Sequence, residues 1–526
     1  MSRPRNPWHV LLTLCLGQSV ALLDTTAVNV AIPSMIDGLG ASLDQILWVL
    51  NGYLLTYAVL LVTGGRLGDL FGQKRLFLSG VVAFTLASTM CGLAQTPGQL
   101  IAARLLQGVG GAMLTPQALA IVSHIFPPER RGAALGVWGA FVSGAAAVGP
   151  TLGGLIVSSL GWRWVFFINL PIGLAALVLG IVIVPDIRRD RQHTFDVVGT
   201  VVLTAALSAL VFGLLEGPRH AWGQVWGPIS VPALLVGGVL LLVVFGHVER
   251  GRQDREPLVP FAVLRQRNFA LMAVVVAALP SSLGAMLLLT TVYLQSGLTM
   301  SALAAGLAVA AAPLVSMVCA PVAGRLTDRY GGKYVMMAGF LLWAGGIGYL
   351  ALVARADSGW FDLLPGLVIA GVGMGVTFSP PATLAMRDID PSMSGAASGL
   401  FNMTRLSGSL LGAAAVGAVL QSRLNLAFAD AAARHATRLP AQYRQPFLDA
   451  FTDVASPDLS GVREQTMSAL AGLPREYAEA VQQAVFRDGI TDAVRFTYLL
   501  PIAVLLAGAL GALAVRERGN AERLAV

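Results

Sequence analysis

The sequence predicts an all-α polytopic membrane protein whose 14 transmembrane helices are arranged as 6+2+6. Its composition is the first indication, because the 526 residues are 56% hydrophobic and only 12% charged. A soluble domain, in contrast, carries about 25% charged residues. Apolar runs long enough to cross a bilayer as helices recur along the whole chain. A loop that occurs twice is the third indication, and it predicts two related halves.

The apolar runs delimit spans 1 to 14 in chain order. They lie at 8–33, 43–65, 75–95, 98–122, 132–158, 162–184, 196–216, 229–248, 267–294, 302–324, 333–353, 360–386, 394–421 and 494–516. Span 1 is too long for the apolar region of a signal peptide, so we expect it to be retained. We expect an N-terminal six-helix bundle (1–185), two inserted linker helices (186–265) and a C-terminal six-helix bundle (266–526) that includes an extracytoplasmic loop at 422–493.

The distribution of Arg and Lys predicts the orientation in the membrane. One set of loops holds 22 of these residues, whereas the short loops on the other side hold three. Cytoplasmic loops carry such an excess, so we expect a multi-pass protein of the cell (inner) membrane with both termini in the cytoplasm. Long loops cross the membrane largely regardless of charge, so the arginines of 422–493 do not contradict this. The net charge of +7 therefore reflects topology, and no nucleic-acid partner is expected.

The repeated loop predicts how the halves are joined. Residues Gly65–Lys74 follow span 2 and residues Gly324–Lys333 follow span 10, and six of the ten positions are identical. The copies are eight spans apart, which two six-helix halves explain if spans 7 and 8 are inserted between them. Repeated halves around a central site are typical of secondary transporters.

Four further motifs lie in spans 1, 4, 5 and 6. They are LDTTAVNVAIP at Leu23–Pro33, RLLQG at Arg104–Gly108, GPTLGG at Gly149–Gly154 and WRWVFFINLP at Trp162–Pro171. With these motifs and the repeated loop, the chain resembles the major facilitator superfamily over essentially its full length. Within that family it resembles the fourteen-helix drug:proton antiporter branch of the multidrug efflux type. The resemblance implies the major facilitator fold and proton-coupled export.

Asp24 and Arg104 form the candidate proton-coupling pair. A charge inside a span costs about 2.5–3.5 kcal/mol on insertion scales, so it marks a functional site by default. Helix rise places Asp24 about 24 Å from the cytoplasmic end of span 1 and Arg104 about 10 Å below the outer surface. Because these depths agree, we expect the two to pair, with Asp24 holding either a proton or a cationic substrate. The alternative is a purely structural pair. The resemblance implies a role in proton coupling for Arg104.

The repeated loops are candidate gates. The resemblance implies that they form charge networks that hold the halves together in the outward-facing state. The alternative is a topological signal with a tight glycine turn. The predicted gating residues are Gly65, Arg66, Asp69, Gly72, Lys74, Arg75, Gly324, Arg325, Asp328 and Lys333.

Span 5 is rich in small residues, which permit close helix approach. The resemblance implies that they form the antiporter motif, and ordinary tight packing is the alternative. The residues are Gly144, Gly149, Pro150, Gly153 and Gly154.

Polar and aromatic residues within the spans are candidates for substrate binding. They are Asp24, Asn29, Trp48, Asn51, Tyr53, Tyr57, Gln107, Gln117, Tyr293, Asn402 and Arg405. For most of them the alternative is a helix–helix hydrogen bond. Arg405, about 16 Å into span 13, either attracts an anionic group or pairs with backbone carbonyls and Asn402. Glu216 is expected at the membrane interface.

The sequence therefore predicts a secondary active efflux transporter that exchanges protons for lipophilic, cationic small molecules such as drugs, antibiotics or dyes. The alternative is a proton-coupled exporter of one endogenous metabolite, siderophore or natural product. A membrane enzyme is not expected, because no nucleotide-binding loop, zinc-binding helix motif or nucleophile–base pair occurs in the sequence. We expect neither cofactor nor metal. Whether the loop 422–493 binds a periplasmic adaptor or only caps the exit stays open.

Overall fold

The computed structural model describes residues 6–186, 196–217, 220, 222–252, 259, 261–355, 358–390, 393–451 and 460–515. Regular structure in these ranges is helical apart from one two-stranded hairpin. The side chains of two predicted site residues, Asn29 and Pro150, lie outside the described part.

The helices of the first half follow the predicted spans closely. They are α1 (Pro7–Val30), α2 (Ile32–Leu39), α3 (Leu43–Phe71), α4 (Gln73–Leu93), α5 (Pro97–Ile125), α6 (Pro128–Leu160), α7 (Trp164–Phe167) and α8 (Asn169–Ile183). Proline at the first turn favours the start of α1, α5 and α6. Thr96 caps α5 by accepting a hydrogen bond from the amide of Gln99.

A helical hairpin comes next in the chain, at the position of the two predicted inserted helices. It comprises α9 (Val197–Glu216), β1 (Gln224–Trp226), β2 (Ile229–Ser230) and α10 (Val231–Arg250). The two helices pack mainly on each other, and α9 also contacts α3 and α17. Asp196 caps α9 and forms an ion pair with Arg252, which follows α10. This ion pair links the start of α9 to the end of α10 on the predicted cytoplasmic side.

The second half is built from the remaining helices and one π-helical turn (Tyr293–Gly297). The helices are α11 (Phe261–Arg265), α12 (Arg267–Val292), α13 (Ala302–Val309), α14 (Ala311–Tyr330), α15 (Gly332–Val353), α16 (Trp360–Met386), α17 (Ser394–Ala436), α18 (Ala441–Asp449), α19 (Ser460–Ala469), α20 (Arg475–Thr497) and α21 (Leu499–Leu513). Thirteen candidate spans among the described residues are long and apolar enough to cross a membrane. The fold class is thus confirmed, whereas the fourteenth span and the 6+2+6 arrangement stay predictions.

The region 422–493, which we expect to be an extracytoplasmic loop, is largely helical in its described part. Helix α17 continues without a break to Ala436, and α20 begins at Arg475. The two helices pack against each other around the rings of Phe428, Phe451 and Phe486, whose centroids lie 5.1–6.1 Å apart. Hydropathy marks where a helix leaves an apolar environment, but backbone hydrogen bonding continues through an alanine-rich, amphipathic sequence.

The two halves meet mainly along two helix pairs, α3 with α17 and α6 with α14. Glycine permits both approaches, because a Cβ on Gly65 would lie only 3.0 Å from the Cα of Gly399. A Cβ on Gly324 would likewise lie 3.0 Å from the Cα of Ala133. The repeated loop therefore begins, in each half, at a close backbone contact with the other half.

Candidate functional site

The structure brings Asp24 and Arg104 together deep inside the first half. Each of the two residues is 1% exposed, and Arg104 Nη1 donates a hydrogen bond to Asp24 Oδ2. Gln107 Nε2 donates to Asp24 Oδ1 at 2.9 Å, and Asn169 Nδ2 lies 3.4 Å from the same oxygen. The carboxylate is an acceptor only, so these donors suit the deprotonated form of Asp24.

Arg104 is held from several sides as well. Its Nε donates to the carbonyl of Val49 at 2.9 Å, and its Nη1 donates to Gln107 Oε1 at 2.7 Å. The guanidinium lies 4.5 Å from the ring centroid of Tyr53, within the range of a cation–π contact. The orientation of Arg104 is therefore fixed by contacts with three helices: α1, α3 and its own helix, α5.

Asn169 is a site residue that the sequence reasoning missed. It lies at the N-terminus of α8 and also donates to Ser88 Oγ at 3.0 Å, so it links α8 to α4 and α1. Its position within the WRWVFFINLP motif was visible in the sequence. What the sequence did not show was that the amide points at Asp24.

The predicted gating aspartates occupy equivalent positions in the two copies of the repeated loop. Each of them accepts two backbone hydrogen bonds from a helix of the other half. Asp69 accepts from Gly395 and Ala396 at 2.9 and 2.8 Å, and Asp328 accepts from Gly132 and Ala133 at 2.7 and 2.7 Å. The same Gly-Ala dipeptide thus supplies the amides in α17 and α6. A carboxylate near a helix N-terminus is favoured by the helix dipole.

Further hydrogen bonds join the halves on this predicted cytoplasmic side. Gln73 donates to Ser394 at 3.0 Å and Ser398 donates to the carbonyl of Pro116 at 2.7 Å. Ser379 donates to the carbonyl of Gly132 at 2.8 Å. The helices α4, α5 and α6 of the first half are therefore bonded to α16 and α17 of the second.

The lysines of the two loop copies each donate a hydrogen bond to a carbonyl of their own half. Lys74 donates to the carbonyl of Ile181 at 2.8 Å, and Lys333 donates to that of Val515 at 3.4 Å. Gly72 and Gly331 have φ values of +95° and +94°, which glycine adopts without steric cost. The tight turn of both copies is therefore real. Arg66 is buried, whereas Arg75 and Arg325 are exposed.

The predicted substrate-binding residues do not form one group. Trp48 packs on Phe212 of the inserted hairpin with ring centroids 5.6 Å apart. Gln117 donates to the carbonyl of Gly64 at 2.8 Å, and the Tyr293 hydroxyl donates to that of Arg355 at 2.6 Å. These side chains therefore take part in packing between elements. Asn51 is half-buried.

Two further charged residues lie in α9 and α17. Glu216, which we expect at the membrane interface, is only 2% exposed, and its Oε2 lies 3.5 Å from Nδ1 of His220. The ring of Trp222 lies close to Gly217 and covers this end of α9, which accounts for the burial. Arg405 is half-buried in α17.

The small residues of span 5 serve two different contacts in α6. A Cβ on Gly144 would lie 2.9 Å from the sulfur of Met317 in α14. A Cβ on Gly153 would lie 2.9 Å from the Cα of Ala27 in α1, next to the turn that carries Asp24. Gly149 is buried, and Gly154 is half-buried. Helix α6 therefore connects the surroundings of the Asp24–Arg104 pair with the interface between the halves.

Comparison with known proteins agrees with this architecture. The model of the Major Facilitator Superfamily matches residues 14–413. The chain is 37% identical over 431 residues to the tetracenomycin C resistance and export protein of Streptomyces glaucescens, covering 81% of this chain and 78% of that one. It is 31% identical over 509 residues to the multidrug resistance protein Stp of Mycobacterium tuberculosis, covering 95% and 91%.

A solved structure of the proton:xylose symporter XylE shows the same fold. It matches with a TM-score of 0.55 at 13% identity and covers 96% of this chain and 94% of that one. The family match spans most of the chain and includes the Asp24–Arg104 pair and both repeated loops. The chain therefore belongs to the Major Facilitator Superfamily.

Proposed function

We propose that the protein is an efflux transporter that exchanges protons for lipophilic small molecules such as drugs or antibiotics. The observation that carries this proposal is the burial of Asp24 against Arg104 with a full set of hydrogen-bond donors. The names of the two relatives, a tetracenomycin C export protein and a multidrug resistance protein, support the direction and class of transport.

Asp24 is the proposed proton carrier. As a carboxylate it is paired with Arg104, whereas a proton on Asp24 removes the attraction and adds a donor to a network that already offers three donors. The pair links α1 to α5, and Gly153 brings α6 against α1. Protonation therefore changes how these helices pack, and α6 carries that change to the other half. A direct contact between Asp24 and the substrate stays a prediction, because the carboxylate is enclosed here.

Asp24→Asn is expected to reduce pH-driven transport at least about tenfold, because asparagine keeps the shape of the side chain but cannot exchange a proton. The measurement is dye movement into inside-out proteoliposomes under an imposed pH gradient. Glu464→Gln removes an exposed acid of α19 and should behave like the parent. Equal pH-driven transport by Asp24→Asn and the parent contradicts the proposed role of Asp24.

We further propose that Asp69 and Asp328 hold the cytoplasmic side closed in an outward-facing state. Four hydrogen bonds from backbone amides to these two carboxylates join the halves. Loss of a helix-capping side chain costs about 0.5–2 kcal/mol, so the two aspartates together shift the equilibrium between conformations appreciably.

The double variant Asp69→Asn/Asp328→Asn is expected to open the cytoplasmic side several-fold more often, because each asparagine retains only one acceptor oxygen. A cysteine at Ser123, which faces a small cleft lined also by Arg131 and Ser394, reports the opening in a background without the native cysteines. Its labelling rate with an impermeant maleimide in inside-out vesicles should rise in the variant. An unchanged rate would argue against the gating role.

We place the chain in the cell (inner) membrane with both termini in the cytoplasm, on the strength of its Arg and Lys distribution. We propose that it transports and catalyses no chemical reaction. Docking of a periplasmic adaptor on 422–493 stays a prediction, for which the helical region offers a surface.

A further inference from the structure

Arg405 differs from Arg104 in having no partner of its own. In the part of the chain that the structure describes, its guanidinium makes no hydrogen bond, ion pair or ring contact. The sequence left two possibilities open, an anionic ligand or pairing with backbone carbonyls and Asn402. Asn402 instead donates to the carbonyl of Ser398 at 3.0 Å, so the second possibility was wrong.

Helix rise places Arg405 near the middle of the bilayer. It lies 11 residues after Ser394, the first residue of α17, which is about 16 Å along the axis. The hydrocarbon core is about 30 Å thick. A charge at that depth is expensive, and such residues face a bundle interior or a water-filled cavity.

The neighbours of Arg405 on α17 show which way it faces. Ser398, Asn402 and Arg405 are separated by four and three residues, so they share one face of the helix. Ser398 is 0% and Asn402 is 7% exposed, and Ser398 donates to Pro116 of the first half. Leu411, 55% exposed, lies on another face. Arg405 therefore faces the interface between the halves, outward of the closed cytoplasmic side.

A neutral polar cluster on the first half lies at the same depth. Tyr57 Oη and Gln18 Nε2 both lie 3.2 Å from Thr115 Oγ1. Helices α3 and α17 run antiparallel from the contact of Leu61 with Gly399. From there, helix rise places Tyr57 about 6 Å and Arg405 about 9 Å towards the outside.

Resting on the proposed function, we propose that Arg405 binds an anionic oxygen of the substrate, such as a carboxylate or an ionised phenol, opposite the Tyr57–Thr115–Gln18 cluster. The guanidinium fork matches a carboxylate with two parallel hydrogen bonds. The protein supplies no counter-charge to Arg405 among the described residues, so an anionic substrate completes the pair. This reverses the expectation of a cationic substrate, which depended on direct contact with Asp24.

A matched pair of dyes tests the proposal on the purified full-length protein. A rhodamine that carries a free carboxylate and its ethyl ester share one cationic ring system and differ in the acidic group alone. Binding is measured by fluorescence polarisation, and pH-driven transport is measured in proteoliposomes. We expect the parent to bind the acid about tenfold more tightly than the ester, which corresponds to one charged hydrogen-bonded contact.

Arg405→Gln is expected to weaken binding of the acid about tenfold and to leave the ester unchanged. Arg405→Lys keeps the charge but loses the fork, so an intermediate affinity is expected. Arg355→Gln removes an exposed arginine at the outer end of α15 and should match the parent. Thermal unfolding of Arg405→Gln should also match the parent, because no partner is lost.

Three results overturn the proposal: equal binding of acid and ester by the parent, equal loss of both in Arg405→Gln, or a lower unfolding temperature in that variant. The proposed function fails separately. Proton-coupled efflux is wrong if a pH gradient moves neither dye through the parent. It is also wrong if the gradient moves the dyes through Asp24→Asn as fast as through the parent. Both conclusions hold whatever the binding data show for Arg405.

Discussion

Arg104→Ala is expected to destabilise the protein by about 3–5 kcal/mol, the cost of breaking a buried ion pair by removal of one partner. The carboxyl group of Asp24, 1% exposed, would lose its charged partner, and the carbonyl of Val49 would lose its hydrogen bond from Arg104. The measurement is thermal unfolding of the purified protein, with transport measured in parallel. We expect transport to be lost as well.

The double variant Asp24→Asn/Arg104→Gln separates stability from coupling. It removes both charges, so we expect most of the lost stability to return while pH-driven transport stays absent. The effects of two substitutions on the free energy of unfolding are not additive when both residues belong to one hydrogen-bond network. We expect this for Asp24 and Arg104. Full stability of Arg104→Ala alone would show that the pair is not the buried ion pair described here.

Gly324→Ala is expected to keep the cytoplasmic side from closing. The added Cβ would lie 2.8 Å from the carbonyl carbon of Gly132, and a backbone atom cannot rotate out of the way as a side chain can. Helix α6 must therefore separate from α14. Labelling of the Ser123 cysteine reporter should rise at least several-fold, and pH-driven transport should fall.

Two further variants make the Gly324 result interpretable. Gly345→Ala, on α15, adds a methyl group where no atom lies within 4 Å, so it should behave like the parent. Gly65→Ala places a Cβ 3.0 Å from the Cα of Gly399 and should reproduce the effect at the other copy of the repeat. A reporter rate that is unchanged in both Gly324→Ala and Gly65→Ala would contradict the gating proposal.

The sequence predicted the family, the helical fold and the Asp24–Arg104 pair. Helical spans could be predicted because an apolar run must satisfy its own backbone hydrogen bonds in the bilayer. The pair could be predicted because two opposite charges at equal depth attract each other strongly in a medium of low dielectric constant. Both arguments need only composition and helix rise.

Contacts that depend on side-chain direction could not be predicted in the same way. Asn169 and Trp48 are both polar or aromatic residues within spans, yet one donates to Asp24 and the other packs on Phe212. Which of these two contacts a side chain makes depends on how its helix is rotated about its own axis, and the sequence does not give that rotation. The backbone donors to Asp69 were invisible for a related reason, since any residue type can supply an amide.

The uninterrupted length of α17 has a mechanical consequence. Its 43 residues make a rod of about 64 Å, about twice the thickness of the hydrocarbon core. One end of this rod meets Asp69, and the other carries the aromatic bundle with α20. A pivot of about ten degrees near the cytoplasmic end would sweep the far tip through about 11 Å. We therefore expect opening of the proposed gate at one surface of the membrane to produce its largest movement at the opposite surface.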